Sequence, residues 1–205
     1  MKNNLLITLT LICLVSWQCS PDPSTAPATP DGVVIPSRIN YDESSRQLMK
    51  ELAPQIVGTW TLRQVSINYQ KNTYFHEQAK ISKDTTIQNL ATLTIVPAAK
   101  PRTSPIDTRR GEYDGTIQYA GKSYPIQFDM LANAEWLVSK KGPQTFFLFD
   151  FRFPDGMRIP EPEDTYLKNI GLVGDNYSLE TTIGQPKMIW RGLNRGVERI
   201  ELIKQ

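Results

Sequence analysis

Hydrophobic and polar positions change period several times along the chain. A short apolar run, residues 5–15 (LLITLTLICLV), follows Lys2, and residues 20–32 (SPDPSTAPATPDG) then show no apolar period. Residues 33–39 are apolar enough for an opening strand or a packed extended segment. Residues 42–52 (DESSRQLMKEL) repeat at helical spacing: Leu48, Met49 and Leu52 form one stripe, the leading acids suit the helix dipole, and Pro54 is expected to end the helix. From residue 56 onward the punctuation is that of short strands.

The first strand, residues 56–69 (IVGTWTLRQVSINY), sets the expected architecture. Gly58 permits a sharp turn out of the preceding segment, and Trp60 is large enough to plug one end of a β-barrel. Gly58, Trp60 and Leu62 share a face, whereas Val65, Ile67 and Tyr69 follow the other parity. Such a strand is buried on both faces or changes phase through a bulge, and a bulge near Arg63 and Gln64 is expected. Further strands are expected at 91–96, 112–119, 123–129, 134–139, 145–151, 177–183, 187–193 and 197–203. Tight connections fall at Ala120, Gly121 and Lys122, at 140–143, and at Asn194, Arg195 and Gly196.

No βαβ period is present, so the fold class is all-β and antiparallel. A closed up-and-down barrel is expected because closure removes exposed edges; a two-sheet β-sandwich is the alternative. The helix either caps the barrel mouth beside Trp60 or packs elsewhere on the wall. Residues 71–88, 97–110 and 152–164 are long connections that form either the rim of a cavity or plain surface excursions.

A positive start and a short apolar core have the form of an export signal, too short to span a membrane comfortably. Cys19 stands directly behind that core, and the Pro/Ser/Thr stretch after it reads as an extended, solvated tether. This junction resembles the bacterial lipobox, which implies a diacylglyceryl thioether on Cys19 and a membrane partner reached through that lipid anchor. Ser20 in place of an aspartate resembles the context that sorts lipoproteins to the outer membrane. The expected division is a signal peptide over 1–18, a tether over 19–40 and a barrel over 41–205. The other cysteine, Cys13, lies inside the apolar core, so the folded part holds no disulfide or thiolate and depends on its core alone.

Charge and chemistry narrow the function classes. Lys+Arg 23 against Asp+Glu 21 is nearly balanced, with no basic cluster interleaved with aromatics, which argues against nucleic acid as a partner. His76 is the one histidine, so no multi-histidine metal site exists. Glu112 and Asp114 share a strand face and read as a solvated pair. Glu161, Glu163 and Asp164 sit in a proline-broken stretch without EF-hand spacing. With no phosphate-cradling glycine loop and no Gly-X-Ser-X-Gly elbow, the expectation is a protein that is not an enzyme, with no cofactor and no metal. The strands instead carry aromatics. Phe147, Phe149 and Phe151 face one way and Phe146 the other; Leu62, Phe128, Trp136, Phe147, Phe149 and Trp190 are the candidates to fill the interior or line a cavity in it.

The run Gly58, Thr59, Trp60 after a short helix, with the closing residues 188–205 (MIWRGLNRGVERIELIKQ), resembles the lipocalin-like domains of Bacteroidota lipoproteins. That resemblance implies a last strand paired back to the first. It also implies a late arginine across the Trp60 ring, for which Arg191, Arg195 and Arg199 are candidates. In function it implies a barrel that binds a small apolar or amphipathic ligand or a protein partner. The alternative is a structural or assembly component of an outer-membrane complex with a filled barrel. A continuous apolar cavity would favour the first and a packed interior the second.

Overall fold

Strand β1 (Gly58–Ile67) is paired along both edges, and the rest of the fold is arranged around it. The computed structural model describes residues 28, 32, 34, 39–71, 76–100, 102, 106–154, 158–181 and 184–205. Residues 1–38 and 39–205 form separate units. In the first, Ala28 and Val34 make an isolated antiparallel bridge, while the expected signal peptide, Cys19 and most of the tether lie outside the described residues.

In the second unit β1 pairs with β3 (Thr92–Pro97), followed in order by β4 (Arg110–Tyr119), β5 (Lys122–Ala132), β6 (Thr145–Phe151), β7 (Asp175–Thr181), β8 (Lys187–Gly192) and β9 (Val197–Lys204). All neighbours are antiparallel, and β9 returns to β1, which closes an eight-stranded up-and-down barrel and excludes the sandwich. The extra strand, β2 (Thr85–Gln88), pairs with the second half of β1 on the edge whose first half holds β3. Asn89, at φ 49, breaks the line between them.

The expected bulge is present. The β1–β9 register shifts between Leu62 and Gln64, which moves burial from Trp60 and Leu62 to Val65 and Ile67 and leaves Arg63 exposed. Ala120 and Gly121, both at positive φ, make the two-residue turn between β4 and β5 that matches strand twist.

Several expected boundaries are corrected. Helix α1 (Tyr41–Ile56) begins at an Asn40 cap that accepts the Glu43 N–H, and it runs through Pro54. A proline so near the end forgoes only one helical bond, and the last turn is retained because Ile56 is buried. The strand opened at Gly58 stops at Ile67, and Tyr69–Lys71 is a 3-10 turn. Residues 134–139 are a helix, α3 (Ala134–Ser139), because the Asn133 side chain caps it through the Glu135 N–H and Lys140, at φ 57, ends it. β2 supplies the strand that α3 does not. Residues 162–169 are another helix, α4 (Pro162–Asn169), with Pro162 at its first position and Asp164 Oδ1 accepting the Glu161 N–H. A short helix, α2 (His76–Ala79), packs against α4. The 177–183 strand begins earlier, at Asp175, and ends at Thr181, with 182 and 183 outside the described residues.

Helices close both ends. Leu48, Met49, Leu52 and Ile56 of α1 join the core at the end where β1 begins, which is the capping role open to that helix. At the other end α4 contributes Leu167, and the segment into β7 contributes Ile170, Leu172 and Val173, all fully buried.

Candidate functional site

The Gly58, Thr59, Trp60 signature lies at the junction of α1, β1 and β9. The fully buried Trp60 donates its indole N–H to the Ile56 carbonyl at 2.7 Å, tying the first strand to the last turn of α1. Lys204 faces Trp60 in the β1–β9 register, with Nζ 5.3 Å from the ring centroid. The same ammonium donates to the Pro54 and Gln55 carbonyls at 3.4 Å each. It thus supplies the positive charge that the C-terminus of α1 lacks in its own last turn. Gly58 is favoured by its φ of +135°, and a Cβ there would lie 2.7 Å from Lys204 Cε and so would displace the lysine from its place over Trp60.

The cation over Trp60 is therefore Lys204, which corrects the expected arginine. Arg191 pairs with Glu180 at 2.8 Å on the outer wall. Arg199 pairs with Glu201 and faces Ser66. Arg195 lies at the opposite end, where its guanidinium donates to the Gly174 carbonyl and its N–H to Asp175. Register decides this, since Trp60 falls opposite the end of β9 rather than its start or middle.

Five of the six candidate lining residues, Leu62, Phe128, Phe147, Phe149 and Trp190 on the strands, are buried. Trp190 is in contact with Phe147 at 4.9 Å, Phe149 at 5.2 Å, Tyr177 at 5.8 Å and Phe128 at 6.1 Å between ring centroids. Phe128 in turn stacks on Tyr113 at 5.2 Å, and the Tyr177 hydroxyl donates to the Gly171 and Leu172 carbonyls. These rings pack against one another in the buried core of the barrel. Trp136 is corrected: it rides on α3, half-buried, with Lys140 Nζ 4.4 Å over its ring.

The acids singled out by sequence all have partners. Arg102, from the 97–110 connection, bridges Asp114 and Asp129, and its backbone N–H donates to Glu112 at 2.6 Å. Tyr124 donates its hydroxyl to Glu161 at 2.7 Å, Lys122 donates to Glu163 at 2.9 Å, and buried Asp164 pairs with Arg158 at 2.5 Å. The Tyr124 bond, then Lys122, lowers the Glu161 pKa, and Lys122 chiefly lowers that of Glu163. Burial, helped by Glu161, pushes the Tyr124 hydroxyl up to about 12. His76 begins α2, and its side chain lies outside the described residues.

Among the described residues, two hollows have largely apolar linings. One, of about 460 Å³, lies between α1 and the start of β4, floored by Met49, Ala53, Ile106 and Tyr113. The other, of about 380 Å³, lies at the β5–β6 seam. There the pairing lapses between Gln127↔Asp150 and Leu131↔Phe146 without a change of register, and the opening reaches inward to Phe128 and Phe147. Arg110 borders both. Sequence reading missed these hollows, although Arg46, Met49, Lys50 and Ala53 follow i, i+3, i+4, i+7 spacing on a helix face. Compared with family models, curated proteins and solved structures, the chain matches none of them.

Proposed function

We propose that this chain is a lipoprotein tethered to the outer membrane through Cys19. Its lipocalin-like barrel is a solid scaffold, an assembly or recognition component that works through its exterior and encloses no ligand. The filled interior carries this reading. A lumenal carrier needs an internal site of roughly 300 Å³ or more, and here the core of the barrel is filled by Trp190, Phe128, Phe147, Phe149 and Tyr177. The anchor rests on the place of Cys19 between the apolar run and the tether.

Two experiments test it. Alkyne fatty acid should label the wild-type chain in cells and not Cys19→Ala, which should leave the membrane fraction; equal labelling would remove the anchor. Organic extraction of the native protein should release no lipophile held inside the barrel. A lipophile recovered one-to-one, and still recovered when the α1–β4 hollow is blocked by Ala53→Trp, would overturn the solid scaffold. A second reading, a small amphipathic ligand, is favoured by that hollow.

A further inference from the structure

The α1–β4 hollow combines an apolar floor with an uneven set of charges. Arg46, Met49, Lys50 and Ala53 turn one face of α1 toward it, and Ile106, 67% exposed, forms part of the opposite side. Gly111 leaves the space between the two sides open: a Cβ there would lie 2.9 Å from the Tyr113 ring and 3.1 Å from Met49 Sδ. The volume, about 460 Å³, falls in the range of roughly 300 to 1,000 Å³ usual for small-molecule sites.

Two of the three bordering cations are held in ion pairs. Arg46 pairs with Glu43 at 2.8 Å and Arg110 with Asp107 at 3.3 Å, while Glu112 accepts the Arg102 N–H. Lys50 remains: among the described residues it forms no ion pair, and it stands on the same face as the apolar floor. Glu112 keeps its charge, since a backbone N–H does not neutralise it, so what suits the trough at Lys50 is an apolar body with no more than one negative charge.

We propose that this hollow binds a small monoanionic amphipath, its apolar part against Met49, Ala53 and Ile106 and its anionic head at Lys50. The site lies between α1 and the start of β4 and does not rest on the scaffold reading.

The test uses the full chain with dodecanoate as probe and dodecylammonium, of equal chain length and opposite charge, as its counterpart. Wild type should prefer dodecanoate, Lys50→Glu should weaken dodecanoate by about tenfold and gain for dodecylammonium, and Ala53→Trp should lose both. Amide shifts on binding should centre on residues 46–53 and 106–113. Lys50 is exposed, so its variant keeps the question open to a negative answer even if Ala53→Trp fails to fold. Unchanged dodecanoate affinity in Lys50→Glu, or shifts centred on Phe128, Phe147 and Trp190, would overturn the proposal.

Discussion

The indole N–H of Trp60 and the carbonyl of Ile56, 2.7 Å apart, join the first strand of the barrel to the helix that closes it. They stand four positions apart in sequence, yet the bond crosses from one element to the next. Ile56 ends α1, Val57 is extended, and Gly58 starts β1 at a φ that other residues avoid. The tryptophan therefore fills the end of the barrel and also satisfies a helix carbonyl left without an intrahelical partner.

Trp60→Ala should cost on the order of 3 to 5 kcal/mol, because closely packed strands cannot collapse around the space left. Trp60→Phe retains most of the volume and loses the bond to Ile56, so about 1 kcal/mol of its cost is the hydrogen bond. Urea midpoints decide this; a Trp60→Ala midpoint near wild type would show that the residue does not support the core.

Lys204→Met should couple to Trp60→Leu in a double-mutant cycle by about 0.5 to 1 kcal/mol, the size of a partly exposed cation–π contact. Arg191, Arg195 and Arg199, each engaged elsewhere, should be additive with Trp60.

Gly58→Ala should destabilise by about 1 to 3 kcal/mol, since the native φ is unfavourable for alanine and the new methyl meets Lys204. Combining it with Lys204→Ala removes the clash and leaves the backbone strain. The double variant should therefore fall short of additive destabilisation, and thermal melts would reveal strict additivity if the contact were unimportant.

Phe149→Ala should open a cavity in the barrel core, costing roughly 3 to 5 kcal/mol and creating a dry apolar site for xenon or benzene. Wild type should take up neither there. Xenon in the core of the wild-type barrel would contradict the filled interior.

Glu161 and Glu163 have folded pKa values below the ordinary 4.5. Their contribution is thus complete above that value and is lost as pH falls through the lowered ones. Docking of α4 against Tyr124 and Lys122 should hold from neutral pH into the weakly acidic range and loosen below it. Carboxyl carbon shifts measure both midpoints, and Lys122→Met should move the two upward. Asp107, held to about 2 chiefly by its hydrogen bonds with Arg109, should titrate lowest of the three and rise in Arg109→Gln.

Period and punctuation were sufficient for the antiparallel class, most strand positions, the bulge after Leu62 and the inward set Phe147, Phe149 and Phe151, because each follows from local alternation along one strand. α3 and α4 were legible in principle from Asn133, Pro162 and the acids of their first turns. The β-prone residues Trp136 and Val138, and the prolines around residue 160, outweighed those caps. Only the tertiary structure could place Lys204 over Trp60, because register between strands far apart in sequence depends on barrel closure and on the bulge. The same holds for the filled core and the α1–β4 hollow. Alternation names the residues that face inward, but whether they meet across the barrel depends on its diameter, and the trough beside Lys50 exists only where α1 settles against β4.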